Sequence, residues 1–544
     1  IWTSFKKPKI STATIKLNKS NISIIYFNVK KSWFNSIYVK NKLITVSGTL
    51  QIRNNKLQII HPDYVITNND NTVPLYESIY PLTQGLNKNK LRDAILKSVQ
   101  ALPSFDEWID ARLVKSKKWP QFTEAIKSIH FPQSQHDIEV YPLFIERLAY
   151  DEALSRQLAL KLIRLHKRKK NKKPKISKNT LVNKLLKLLP FKLTSSQRKV
   201  LKDIYIDLKS NERMSRLIQG DVGSGKTIVA FLSLLHTIEA GFQGTLMVPT
   251  EILAQQHYNF FNKYCSKLDI NIVLLVGKDK TLNKKEILYK ISQGLVDIVI
   301  GTHAIIQEDV KFKNLGLIII DEQHRFGVYQ RLALLKKSPQ ADFMVMTATP
   351  IPRTLILTNY GDMDLSTIES KPKNRPLVKT ITVNNKKTSD VIKSIFKFLK
   401  NGEQVFWVCP LVQESEKLDL VAVETRANSL EKIFPNKVSI IHGKMKTEEK
   451  DKNINEFINA EKPILISTTV IEVGIDIPNA NIMIIEHAER FGLSQLHQLR
   501  GRIGRGSKDS MCMLLYDNKL SSIARQRLST MKNTNDGFLI SEKD

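Results

Sequence analysis

The sequence predicts an α/β protein: two tandem parallel-sheet domains, preceded by a small β-barrel of the OB-fold kind and a helical connector. Three observations point there. From residue 185 onward, short strands alternate with helix-period stretches, and the strands are apolar on both faces, as parallel strands covered by helices are. The alternation comes in two consecutive blocks, 185–375 and 376–520. Before them, residues 1–85 show short period-two strands, and 86–184 show helical periodicity.

In chain order, strands are expected at 13–17, 22–29, 43–46, 49–52 and 57–60, separated by Asn-Lys, Ser-Gly and Asn-Asn turns. Such spacing suits a small barrel. Tyr26, Phe27, Trp33, Phe34 and Tyr38 fall in one expected hairpin beside Lys30, Lys31 and Lys40. Aromatics among lysines suit base stacking with phosphate neutralisation, and equally fill a barrel core. Leu91, Ile95, Val99 and Leu102 make one helical stripe, and residues 143–165 another. The basic run 167–175 reads as a solvated linker or exposed helix end, with a DNA contact as the other reading. The first block has strands at 245–248, 298–300, 317–320 and 343–346. The second has them at 405–408, 438–441, 464–466, 482–485 and 511–515. Residues 521–544 follow as a separate tail.

At 544 residues the chain exceeds a single core, and roughly three to five domains are expected. The formal charge of +32 fits a polyanionic partner; abundant Lys, Asn and Ile fit an A/T-rich genome as well. Cys265, Cys409 and Cys512 lie far apart in apolar surroundings, which argues for core thiols in a reduced cytoplasm and against disulfides or a zinc site. No apolar run is long enough to span a bilayer, and no signal peptide opens the chain. It begins at Ile1 rather than Met, so the expectation is a fragment.

Residues 220–227, Gly-Asp-Val-Gly-Ser-Gly-Lys-Thr, fit the phosphate-binding loop pattern, with Leu217 and Ile218 before it and a helix-period run after it. Gly220, Gly223 and Gly225 let the backbone N–H groups of the loop, including those of Asp221, Val222 and Ser224, curl round an anion. Lys226 reaches the terminal phosphates, and the Thr227 hydroxyl ligates Mg2+. In the apolar run 315–320, a strand delivers Asp321 and Glu322 at its C-terminal end. Asp321 would hold the metal, and Glu322 would orient and deprotonate a water. Thr347 and Thr349 end another strand, where their hydroxyls can bond the carboxylate site. Only one block has a phosphate loop. The second carries Arg500, Arg502 and Arg505 among glycines; Arg502 and Arg505 suit arginine fingers, and Arg500 is open between that and a DNA contact.

This constellation resembles superfamily 2 helicases. Gln197, in Leu193-Thr194-Ser195-Ser196-Gln197, matches the glutamine that reads adenine, so the substrate implied is ATP. Residues 248–256 and 301–303 match the motifs that grip a DNA backbone, 464–478 motif V and 498–505 motif VI. The resemblance implies backbone contacts from Thr250, Thr302, His442, Gly443 and Thr468, and places Asp476 near the ribose. Asp321-Glu322-Gln323-His324-Arg325-Phe326-Gly327 with Gln330-Arg331, and residues 346–355, are characteristic of the RecG family of branch-migration DNA helicases and of its relative Mfd. The barrel with His61-Pro62-Asp63-Tyr64 and residues 80–86, and the tail 524–542, resemble RecG rather than Mfd.

The resemblance implies two RecA-like domains behind an OB-fold-like wedge, with Phe27 and Trp33 facing DNA. It implies a monomer acting on forks and Holliday junctions, with single-stranded DNA-binding protein as a further partner. The tail corresponds to the start of a translocation hairpin, and the chain stops before the loop carrying the family's translocation glutamine. An RNA helicase of the same superfamily, an Mfd-like translocase, and a junction-binding clamp with a decayed motor are the alternatives.

Overall fold

A computed structural model describes residues 9–17, 20–53, 56–67, 75–83, 85–86, 88–168, 172–277, 281–323, 326–352, 355, 361–370, 377–410, 416–468, 477, 479–504, 506, 509–518 and 520–544. The chain divides into two compact units, Ile1–Ser155 and Arg156–Asp544, and the division falls within the helix Tyr141–Arg168. No described helix is long and apolar enough to cross a membrane.

In the first unit, β1 (Ile10–Leu17) runs antiparallel to β2 (Ser20–Phe27). β3 (Thr45–Ser47) and β4 (Leu50–Arg53) are one extended stretch broken at Gly48. There a Cβ would lie 2.8 Å from Ile59 Cγ2, so only glycine lets the chain bend that close. The bend sends β3 to pair with β6 (Tyr64–Ile66), while β4 pairs with β5 (Lys56–Ile60), itself parallel to β2. The described strands thus form two sheets, of order β1-β2-β5-β4 and β3-β6, where a single barrel was expected.

The expected aromatic hairpin is also different: residues Lys31–Ile37 form a helix. Its inner face delivers Phe34 to a small core with Ile24, Tyr26 and Ile59, where burial outweighs the strand propensity of Trp and Phe. Trp33, on the outer face, stays 44% exposed. Further along, the described residues of the unit include the helices Lys88–Gln100 and Phe122–His130. Here the fully buried Arg147 is held by Glu107 at 2.9 and 3.0 Å and by Asp151 at 2.9 Å, so its charge is matched rather than stranded.

The second unit contains two parallel sheets. The first has the order β13-β7-β12-β11-β8-β10-β9, made of β7 (Ser215–Gly220), β8 (Gln243–Met247), β9 (Ile272–Leu275), β10 (Ile298–Gly301), β11 (Leu315–Ile320), β12 (Asp342–Thr347) and β13 (Asp364–Ile368). The second has the order β14-β19-β18-β15-β17-β16, made of β14 (Val378–Asn384), β15 (Gln404–Val408), β16 (Val438–Ile441), β17 (Ile464–Ser467), β18 (Ala480–Ile485) and β19 (Ser510–Tyr516). β11, β12, β15 and β18 are buried along their whole length, which is why their sequences are dominated by apolar residues. The tail helices Ser522–Asn533 and Gly537–Glu542 add Leu528, Met531 and Ile540 to the core of the second sheet.

The basic run is not wholly a solvated linker. Lys172 donates to both Asp342 oxygens at 2.6 and 2.7 Å, and Lys175 donates to Oδ2 at 2.7 Å. The Met214 amide completes the set at 2.7 Å. All three charged side chains are buried. A partner so distant in sequence leaves no local signal, and it turns two lysines of the run into an anchor at the start of β12.

Candidate active site

The phosphate loop spans the end of β7 and the start of the helix Lys226–Glu239. Gly223 and Gly225 hold left-handed φ angles of 75° and 86°, which a side chain would resist. At Gly225 a Cβ would also lie 2.3 Å from Gln197 Nε2. Gln197 braces the loop: its Nε2 donates to the Ser224 carbonyl at 2.8 Å, while its Oε1 accepts from Thr194 N at 2.9 Å in a capping box. Lys226 Nζ donates to the Gly220 and Asp221 carbonyls at 2.7 and 3.0 Å, which places the ammonium across the loop. Thr227 lies half-buried in the first helical turn.

β12 separates the loop strand β7 from the acid strand β11, so the loop, Thr347 and the two carboxylates share one sheet end. Asp321 is buried at that end and accepts from Glu322 N at 3.0 Å. His257 Nε2 approaches its other oxygen at 3.4 Å. Burial alone would push the Asp321 carboxyl up. The hydrogen bond and charge of His257, with the charge of Lys226, more than reverse this and hold it below the usual carboxylate range. Glu322 follows in the left-handed region, φ 51°, a conformation that strains a residue with a side chain. The turn that aims this carboxylate is therefore imposed by its surroundings. Thr347 and Thr349 bond each other at 2.8 Å, where bonds to the carboxylates were expected.

These groups fit Mg2+. An ionised buried carboxylate and a hydroxyl are hard oxygen donors, and Mg2+ takes one or two carboxylates plus substrate phosphates rather than an all-protein cage. Among the described residues no group of three or more His, Cys, Asp or Glu gathers as such a cage. Within the loop, the Ser224 hydroxyl is buried without a hydrogen-bond partner.

The second sheet meets the loop through the helix Leu493–Arg500 and the turn after it. A Cβ on Gly501 would lie 2.6 Å from Val222 Cβ, so the bare glycine backbone packs against the Val222 side chain there. Arg502, next in the chain, is buried at 4% exposure. His497 Nε2 lies 2.6 Å from Asp221 Oδ1. Arg500 is neither on the surface nor at the phosphates: it donates to the Met531 and Thr534 carbonyls at 2.9 Å each, and to His497 Nδ1 at 2.9 Å. Asp544 accepts from Leu493 N and Ser494 N at 3.0 and 3.1 Å, capping the same helix from the tail. Asp476 and Arg505 lie outside the described residues, as do His324 and Arg325. A cavity of about 900 Å³ borders the loop on the Asp221 side, lined by Pro352, Glu369 and Phe538 among others. Lys226, Thr227 and Asp321 do not line it; Asp221 is the loop residue that does.

The expected DNA contacts are scattered. Thr250 caps the helix Glu251–Cys265. Gly443 is exposed with open space around it, beside a half-buried His442 whose imidazole burial pushes below its ordinary pKa. Thr302 and Thr468, at 1% and 4% exposure, do not present their hydroxyls to a DNA backbone in this arrangement. In the first unit, Phe27 is half-buried with its ring tilted against His61.

His257, His497 and Asp544 are the residues that sequence reasoning missed. His257 sits on the buried stripe Leu253, Ala254, Phe261, and His497 with Arg500 on the stripe Leu493, Leu496, Leu499. A polar residue on an apolar helical stripe was the available signal.

Two family models match: DEAD/DEAH box helicase over residues 194–357 and Helicase conserved C-terminal domain over residues 386–507. The chain is 39% identical to the ATP-dependent DNA helicase RecG of Haemophilus influenzae, covering 99% of this chain and 80% of that protein. It is 41% identical to RecG of Thermotoga maritima, covering 98% and 70%. A solved structure of RecG bound to a three-way DNA junction aligns with TM-score 0.69 and 38% identity, covering 99% of this chain and 72% of that one. Saccharomyces cerevisiae Dbp5, solved with RNA and ADP BeF3, aligns at TM-score 0.50 and 17% identity over 65% of this chain, which shows a shared fold alone. At this identity over nearly its whole length, the chain belongs to the RecG family of ATP-dependent DNA helicases.

Proposed function

We propose that the chain converts ATP hydrolysis into movement on branched DNA, binding stalled forks and Holliday junctions and driving branch migration and fork reversal in recombination and repair. The observation that carries this reading is the seam at which Gly501 and His497 of the second sheet meet Val222 and Asp221 of the phosphate loop. A motor needs such a seam, because hydrolysis at one sheet must be felt by the other. The likeness to RecG solved on a three-way junction supports the substrate.

Lys226 neutralises the terminal phosphates; Thr227 and Asp321 would hold Mg2+, which would supply further positive charge against the triphosphate. Glu322 orients the attacking water and takes its proton. Arg502 and Arg505 close on the phosphate from the second sheet. Gln197 reads adenine with the amide hydrogen and lone pair left over from its two bonds to protein, and Asp476 meets the ribose. Thr250, Thr302, His442, Gly443 and Thr468 contact the DNA backbone, the buried hydroxyls among them after the sheets shift. Residues 1–85 act as an OB-fold-like wedge: β2 and β5 run parallel, the helix Lys31–Ile37 follows β2, and Trp33 and Phe27 line the side that parts the strands. Residues 86–184 connect this wedge to the motor. The protein works as a monomer in the reduced cytoplasm and meets single-stranded DNA-binding protein at forks. Recognition is of junction shape and phosphate charge, consistent with a net charge of +32.

The test is phosphate release in the presence of a three-way junction, linear duplex or RNA. The junction is expected to stimulate most, and a model fork to be reversed only with ATP. Equal or greater stimulation by RNA would overturn the reading.

A further inference from the structure

We infer that His497 and Asp221 are a positioning pair, through which the second sheet sets the phosphate loop for hydrolysis. The inference rests on the ATP-driven reading above and extends it to residues that touch neither phosphate nor water.

Partner chemistry fixes the state of the imidazole. Arg500 has only donors, so Nδ1 of His497, 2.9 Å from Arg500 Nη2, must accept. Nε2 therefore carries the proton and donates to Asp221 Oδ1 at 2.6 Å. The same Asp221 oxygen accepts from Val222 N at 2.6 Å, so the imidazole grips the carboxylate that holds the first turn of the loop. Asp221 and His497 are both buried, at 5% and 3% exposure, which makes this bond stronger than one in open water. Upstream, the guanidinium of Arg500 is oriented by the Met531 and Thr534 carbonyls of the tail. The tail also fills the remaining corner. A Cβ on Gly537 would lie 2.6 Å from His497 Nε2, 2.9 Å from Pro350 Cγ and 3.0 Å from Asp221 Cγ. Nothing larger than hydrogen fits there without moving the pair.

A loop displaced by a fraction of an ångström misaligns the γ-phosphate with the attacking water more than it weakens nucleotide binding. The loss should therefore fall on kcat. In junction-saturated ATPase assays, His497→Ala is expected to lower kcat about ten- to a hundredfold, with KM for ATP within about twofold. His497→Gln, which keeps an N–H at similar reach, should recover most of that loss. Gly537→Ala removes no polar atom and should lower kcat in the same way. Asp221→Ala should cost less in the His497→Ala background than in the wild type. The inference is overturned by a normal kcat in His497→Ala, by a glutamine variant no better than alanine, or by additive effects in the double variant. Should His497→Ala melt below the assay temperature, Gly537→Ala carries the test, and a wild-type kcat there overturns it. A wild-type protein that no junction stimulates would instead mark failure of the functional reading.

Discussion

The two parallel sheets of the second unit are built alike and used differently. Both have central strands buried along their whole length, and both are covered by helices. The first carries glycines with left-handed backbone, a lysine across its own loop and two adjacent carboxylates. The second has no such loop. It offers a short helix with His497 and Arg500 on its buried face, and then Gly501 and Arg502. The sheet is thus only a platform, and chemistry is decided by what hangs from its edge. On the proposed reading, one platform holds the substrate and the other supplies shape and positive charge to complete the holder.

This division can be broken by experiment. The largest expected effect is from Lys226→Ala, which should reduce ATP turnover to background while junction affinity, read by fluorescence anisotropy, persists; wild-type turnover would remove the first sheet from its role. Glu322→Gln should bind ATP normally and turn over about 10²- to 10⁴-fold more slowly in single-turnover assays. From the other platform, Arg502→Ala should lower kcat about 10²- to 10³-fold, with a smaller change in KM. A loss confined to KM would mean that the second sheet merely helps bind. Asp342→Asn addresses stability rather than turnover. By leaving two buried lysines poorly matched, it should destabilise the unit by about 3–5 kcal/mol in urea unfolding. Smallest is a null effect: burial pushes the Cys265 and Cys512 thiols up to about 12, and raises that of Cys409 as well. Iodoacetamide at pH 8 should label none of the three in the native protein and all three in urea.

The parts that the sequence made legible are those coded contiguously. The phosphate loop is one stretch between a strand and a helix, and the carboxylate pair ends an apolar run, so local pattern sufficed. Nine of the strands expected from apolar runs in the two blocks appear within a residue or two of their places, because burial on both faces leaves little ambiguity. What was hidden depends on partners far away. His497 meets Asp221 across 276 residues, and Lys172 meets Asp342 across 170. A charge run reads as solvated until its counter-ion is seen. Trp33 and Phe34 were misplaced for a related reason: their strand preference yielded to a helix that buries one ring and leaves the other in solvent.

The Asp342 anchor has an uneven tolerance to change. Two ammonium groups converge on a single carboxylate, so the cationic side has a spare and the anionic side has none. Burial, with the neighbouring Lys175 ammonium as a lesser cause, already pushes the Lys172 ammonium below its ordinary range against the pull of Asp342. Across related chains, drift should therefore reach Lys172 or Lys175 first, one at a time. A loss of the aspartate should be found only where both lysines have gone with it.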